Sequence, residues 1–372
     1  MALAAAVGIQ GGDALSHRPL QVMALTRYGA LGASSRLRTL QYLPALQAAD
    51  IHVTVQSLFD DAALAARYAH GSYGPAMAAR CFAGRIAALR RRGRFDLLWI
   101  EKEALPWWPL WLERALLGNT PFTLDYDDAV FHDYDRHSLG AVRWMYGRRL
   151  DGLMAHSRLV VAGSPYLAER ARAAGARRVE LVPTVIDLRR YPAPDGRRQP
   201  SDVPRIVWIG SPSTAQYLQL LHVPLQQLAA QQPFVLRVIG ARVDLPGVPV
   251  EHVAWDEDTE VAQVAACDMG VMPLRDSPWE RGKCGYKLIQ YMACGLPVVA
   301  SPVGVNGHIV QEGGNGFLAD TPQAWVTALA KLLTDATLRQ RMGQAGRLRV
   351  EQEYCLQVTG PRLADLLRSS VE

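Results

Sequence analysis

The sequence predicts an α/β protein made of two Rossmann-like, doubly wound domains facing a central cleft. Three observations carry this. Short apolar strands alternate with helical patterns along the whole chain, as in parallel sheets covered on both faces. The 372 residues exceed what one ordinary core holds. A segment with four prolines and a glycine, Tyr191 to Pro204, separates two runs of strands. The units expected are residues 18–186, a linker over 187–204, residues 205–355, and a helical tail within 356–372.

In the first half, strands are predicted near Leu20–Leu25, Ile51–Ser57, Phe95–Ile100, Phe122–Leu124, Leu159–Ala162 and Val179–Val182. The first runs into TRYGALGASSRLRTL, Thr26 to Leu40. Gly29 and Gly32 admit close approach of a substrate, and Ser34 or Ser35 is expected to cap the following helix. Arg36 and Arg38 fall in its first turn, where a cation needs a compensating anion. Arg36 is therefore either in contact with an anionic ligand or a surface-helix residue. The loop is not GxGxxG and no acid ends the second strand, which argues against a nicotinamide or flavin site.

Residues 1–186 carry 22 basic and 16 acidic side chains. The excess gathers at Arg85, Arg90, Arg91, Arg92 and Arg94. It suits an anionic membrane surface, a phosphorylated acceptor, or a solvated helix end. No aromatic–basic interleaving accompanies it, so nucleic acid is not an expected partner. PWWPLWLERALL, Pro106 to Leu117, is expected to place Trp107, Trp108 and Trp111 mainly in core packing, with an interfacial membrane patch as the alternative.

LDYDDAVFHDYD, Leu124 to Asp135, crowds five aspartates and His132 at a strand end. Metal binding, turn capping, and the holding of acceptor hydroxyls by Asp127, Asp128 and His132 are the three readings. The third is preferred; no metal is expected.

In the second half, strands are predicted near Ile206–Ile209, Val235–Ile239, His252–Ala254, Met269–Met272, Pro297–Ala300 and Gly316–Leu318. After the first of these, Gly210, Ser211, Ser213 and Thr214 open a helix expected at about Thr214, whose N–H groups suit phosphate oxygens. From Cys267 to Ala319 a strand, a polar loop, a helix at about Tyr286 to Cys294 and a buried strand follow one another. Gly282, Lys283, Cys284, Gly285, Tyr286 and Lys287 bring free N–H groups, a helix dipole and cations to one point, the composition of a diphosphate site. Only four of the 40 basic residues are lysines, and two stand here. A compact ammonium has been used where the chain otherwise takes arginine. Cys284 reads as a small filler, with no base beside it. The five cysteines form no CxxC, which fits a reducing cytoplasm. Met1 to Ile9 makes a poor signal peptide, and no apolar run is long enough to span a bilayer.

MACGLPVVAS, Met292 to Ser301, and VPTVID, Val182 to Asp187, resemble the retaining glycosyltransferases of family 4, which have the GT-B fold. The resemblance implies a nucleotide-diphosphate sugar as donor on the second domain and a glycan or lipid-linked acceptor on the first. It implies no cofactor, retention at the anomeric carbon, and a last helix that returns to the first domain. It places Gln290 at the ribose, Gly240 and Arg242 near the base, and Gly32 and Arg36 at the acceptor or donor phosphate. The family's two acidic positions fall on Gly282 and Gln290, so the chain departs at both, and Glu280 is the candidate substitute. The site is then Asp127, Asp128, His132 and Lys283 for catalysis, with the loop residues above for the donor. Cell-surface polysaccharide or glycolipid synthesis at the inner face of the membrane is the expected setting. The alternatives are a nucleotide-sugar epimerase of the same fold and a non-catalytic nucleotide-sugar-binding partner.

Overall fold

The computed structural model describes residues 18–193 and 203–372. Met1–Ile9 and residues 194–202 of the expected linker lie outside them. The strands are β1 (Leu20–Tyr28), β2 (Ile51–Phe59), β3 (Leu97–Glu101), β4 (Phe122–Tyr126), β5 (Leu159–Ala162) and β6 (Val179–Leu181). Then come β7 (Arg205–Ile209), β8 (Val235–Ile239), β9 (Val250–Val253), β10 (Met269–Met272), β11 (Val298–Ala300) and β12 (Gly316–Leu318). They form two six-stranded sheets, ordered β2-β1-β3-β4-β5-β6 and β12-β11-β10-β7-β8-β9. Every pairing between them is parallel. Helices cover both faces, so the central strands are buried throughout: all five residues of β3 and of β4 are, the polar Glu101, Thr123 and Asp125 included. Strand order reverses between β1 and β3 and between β7 and β10, and ligands bind outside the carboxyl ends of strands at such points.

The two carboxyl edges meet. The Cys284 thiol donates to the Asp127 carbonyl at 2.9 Å. A Cβ on Gly282 would lie 2.5 Å from Ala129 Cβ. The last helix, Leu356–Arg368, crosses back onto the first sheet. Its Leu363, Leu366 and Leu367 share a core with Val22, Ala24 and Trp99, and Tyr42 and Thr359 hydroxyls bond at 2.9 Å.

Several sequence expectations are corrected. Arg85 is fully buried: it donates to the Ala104 carbonyl at 3.2 Å and to Gln56 Oε1 at 2.6 Å, so it is no part of a charged surface. Arg90 and Arg92 border a hollow with Phe95 and Pro121, at the amino ends of β3 and β4 and opposite the cleft. The tryptophan helix begins only at Leu110. Trp108 stacks on Phe82 at 6.0 Å, but Trp107 and Trp111 are exposed, so core packing describes one of the three. The segment Pro212–Leu221 is a 3-10 helix, and the α-helix starts later, at His222.

Candidate active site

Beneath the cleft floor, buried charges fix the loops that follow β1, β3 and β4. Arg38 donates to both Asp125 oxygens, at 2.7 and 3.1 Å. Arg149 pairs with Glu103 and Glu113, all three being almost wholly buried. Burial pushes the Glu113 carboxyl up to about 7, against the pull of Arg149. Neither serine caps the helix Ala33–Arg38, whose N-cap is Gly32. Ser35 Oγ donates to Glu101 at 2.6 Å, and Ser34 bonds Asp127, because buried carboxylates claim both hydroxyls.

The aspartate cluster divides accordingly. Lys102, buried after β3 with φ +64°, reaches Asp127 at 2.9 Å and donates to Ser34 Oγ at 2.8 Å. Burial alone would raise Asp127, but Lys102 and Ser34 outweigh it and hold the carboxyl below its usual value. Asp128 is pushed the other way by burial and by Asp127, with Lys283 opposing. Its Oδ1 lies 3.7 Å from Lys283 Nζ, across the cleft. Two adjacent carboxyls whose environments drive them apart are suited to different roles. Asp127 anchors Lys102, while Asp128 is the one facing the other domain. Four of the five clustered carboxylates face a cation: Asp125 on Arg38, Asp127 on Lys102, Asp128 on Lys283, and Asp135 on Arg170 at 3.0 Å. Among the described residues no three His, Cys, Asp or Glu side chains gather as a metal site. His132 departs from the expected acceptor role: its ring nitrogens are committed to Asp135 at 2.7 Å and Tyr166 at 2.9 Å.

On the second domain, Gly285 caps the helix Tyr286–Ala293 at φ +68°, in the left-handed region. A Cβ there would also sit 2.3 Å from Ile309 Cδ1. Leu288 and Ile289 N–H groups donate to the Gly285 carbonyl, at 3.0 and 3.4 Å, while those of Tyr286 and Lys287 precede any intrahelical acceptor. Lys287 Nζ lies 5.5 Å over the Trp208 ring, and its Cε would be 2.9 Å from a Cβ on Gly210. Lys287 thus joins the helix start to the Gly210–Thr214 loop, where Ser211 and Ser213 hydroxyls bond at 2.9 Å. Burial, then repulsion from Lys283, lowers the Lys287 ammonium to about 8, with Asp128 opposing. Cys284 is buried and its thiol is pushed well up by burial, so it stays protonated. Tyr286 is half-buried beside it.

The two departures from the family pattern have steric and polar causes. Ala129 leaves no room for a side chain at Gly282. Gln290 is buried and donates to the Tyr191 hydroxyl at 3.0 Å, which turns it from an open ribose position. Glu280, the candidate substitute, accepts from Tyr217 at 2.6 Å and from Ser277, so it is already engaged. Gly240 takes φ +85° with Gly210 O at 2.6 Å from its would-be Cβ, and Arg242 is exposed beyond it. Arg36 crosses the cleft: it lies 5.2 Å over the Trp255 ring and 3.7 Å from Glu257. Lys102, Ser34, Tyr191 and Trp255 were not anticipated. The scarcity of lysine, which singles out Lys283 and Lys287, is a signal that applies equally to Lys102.

The family model described as Glycosyltransferase Family 4 matches residues 38–190, and that described as Glycosyl transferases group 1 matches residues 203–335. A D-inositol 3-phosphate glycosyltransferase of Pseudarthrobacter chlorophenolicus is 29% identical over 129 residues, 34% of this chain and 30% of the relative. A GDP-mannose-dependent α-(1-6)-phosphatidylinositol monomannoside mannosyltransferase of Mycolicibacterium smegmatis is 29% identical over 178 residues, 47% of this chain and 42% of the relative. The chain thus matches less than half the length of these curated relatives. HepE of Anabaena, solved with UDP, superposes with a TM-score of 0.69 at 16% identity, over 94% of this chain and all of that one. WaaG, a glycosyltransferase of lipopolysaccharide biosynthesis, gives 0.67 at 14% identity, over 94% and 99%. With two parallel sheets edge to edge and the two models together spanning most of its length, the chain belongs to the family 4 glycosyltransferases and has their two-domain GT-B fold.

Proposed function

We propose that the protein transfers a sugar from a nucleotide-diphosphate sugar, held on the second domain, to a hydroxyl of a glycan or lipid-linked acceptor presented by the first. The observation that carries this is the meeting of Lys283, Lys287 and the Gly285-capped helix start with Asp128 of the other domain. Departure of a nucleoside diphosphate builds negative charge on its outer phosphate. Two ammonium groups and unpaired N–H groups stabilise that charge more than the ground state. Asp128 faces the same point and suits an acceptor or donor-sugar hydroxyl. Asp127 is committed to Lys102, so the pair does not supply the two free carboxylates of a glycosidase. Retention by front-face attack, with the leaving phosphate taking the acceptor proton, fits that arrangement. The neighbour solved with UDP supports a nucleotide ligand. The setting we propose is cell-surface polysaccharide or glycolipid assembly at the cytoplasmic face of a membrane. No helix among the described residues is long and apolar enough to cross one.

Thermal unfolding in the presence of UDP, GDP, dTDP or ADP tests the reading. One nucleotide at a hundred times its Kd is expected to stabilise by about 2.7 kcal/mol. No shift with any of them would remove the donor site. A second reading, a non-catalytic nucleotide-sugar binder, is favoured by the engagement of Gln290 and Glu280 elsewhere. It is separated by nucleotide release from the bound sugar conjugate, which a binder would not give.

Lys287 adds a pH signature. Its ammonium is lowered to about 8 in the free protein, and a bound diphosphate would raise it again. Binding then takes up a proton above pH 8, so affinity is level below that pH and weakens above it, by up to about tenfold per pH unit. Lys287→Met should bind more weakly and lose the break. Isothermal titration of the preferred nucleotide from pH 7 to 9.5 decides the matter, and a flat profile would place Lys287 outside the phosphate site.

A further inference from the structure

One surface of the first domain is not used by the cleft chemistry. The helix Gly140–Tyr146 leaves Trp144 86%, Met145 60% and the preceding Leu139 61% exposed. Trp107, 45% exposed, packs its ring 6.3 Å from Tyr146 and extends the same surface. Burying these side chains in water-excluding surroundings would be favourable, and nothing among the described residues covers them. The charge around them has one sign. Residues 136–150 contain no Asp or Glu, and Arg136, Arg143 and Arg148 are exposed. The flanking Asp135 and Asp151 share one partner, Arg170, at 3.0 and 2.7 Å, which leaves a single net negative charge at that edge.

Exposed tryptophan and methionine ringed by arginine match a lipid headgroup layer, where an indole sits at the interface and guanidinium groups meet phosphates. A protein groove would ask for shape complementarity that a protruding Trp144 on a short helix does not offer. The surface also adjoins the cleft. The helix His132–Asp135 links it to the loop holding Asp128, and Tyr134 bonds Glu103 at 2.8 Å and accepts from Trp107 N at 3.1 Å.

We propose that this surface docks the protein on a bilayer containing anionic lipid, with Leu139, Trp144 and Met145 entering the headgroup region. Docking here brings the acceptor side of the cleft to the lipid. That purpose rests on the reading of a lipid-linked acceptor, but docking is measured without transfer, so either can fail alone.

The test is flotation with phosphatidylcholine vesicles, with and without phosphatidylglycerol. The wild type is expected to float with the anionic vesicles. Trp144→Ala with Met145→Ser, and separately Arg143→Glu with Arg148→Glu, should lower the bound fraction on the order of tenfold. Arg90→Glu with Arg92→Glu makes the same charge change at the opposite end of the sheet and should leave binding unaltered. All these positions are at the surface, and an unchanged nucleotide-induced thermal shift confirms intact variants. The proposal is overturned if the wild type does not float with anionic vesicles, or if the Trp144 variant floats equally. It is also overturned if the Arg90 variant loses as much. A wild-type dimer that the Trp144 variant dissociates in sedimentation would assign the surface to a second copy instead.

Discussion

Arg149→Met is expected to lower folding stability by about 3–5 kcal/mol, the cost of leaving buried charge unpaired. Arg149 is the main cation between Glu103 and Glu113, and it also donates to the Leu105 carbonyl at 2.7 Å. Arg27 still reaches Glu103 at 3.1 Å, but Glu113 would keep only the backbone N–H groups of Ala104 and Leu105. Its carboxyl, already raised to about 7 by burial despite Arg149, would rise further. A carboxyl whose folded pKa lies above its unfolded value contributes stability at low pH and loses it as pH rises through the folded value. The deficit of the variant should therefore shrink as pH falls from 7 towards 5. Urea denaturation at both pH values measures this, and a deficit below about 1 kcal/mol at pH 7 would mean that the site relaxes or hydrates.

Lys283→Ala should lower kcat/KM for transfer by roughly 10²–10³, the scale of losing one preorganised charge contact to a developing anion. Lys283 is half-buried and among the described residues takes part in no ion pair except that with Asp128, so folding should be little affected. The variant also frees Asp128 from its facing cation, which raises an already raised carboxyl. Asp128→Asn is the informative companion. If Asp128 handles a hydroxyl in the transition state, kcat falls while nucleotide affinity holds. If it only positions Lys283, the two substitutions should give similar losses that do not add. Wild-type kinetics in Lys283→Ala would exclude it from the reaction.

The sheets were legible because their strands are apolar runs bounded by turn residues, a local signal. All twelve strands appear, some a few residues longer, as β1 is where it continues to Tyr28. The phosphate-type helix start was legible for the same reason: Gly285, the two lysines and the helix are contiguous. What escaped were partnerships between distant segments. Ser34 and Ser35 resemble caps, but the carboxylates that take their hydroxyls come from β3 and β4. Gln290 reads as a ribose contact until Tyr191, about a hundred residues earlier, occupies its amide. His132 looks free in sequence, yet Tyr166 and Asp135 close on it only in the fold. Gly282 looks like a lost acid, and only Ala129 across the cleft shows why no side chain fits.

The returning helix Leu356–Arg368 sets an order of events during synthesis. Val22, Ala24 and Trp99 are translated before the second domain, but one wall of their core, Leu363 to Leu367, is translated only after it. While the ribosome is still extending the second domain, the nascent first domain presents an open apolar face, a binding site for chaperones. The second core is closed by chain that directly follows its own strands, with Met342 and Val350 on the helix Ala336–Glu353. The first domain is thus completed only after the second has been made, and translational stalling between β12 and that last helix would strand it half-built.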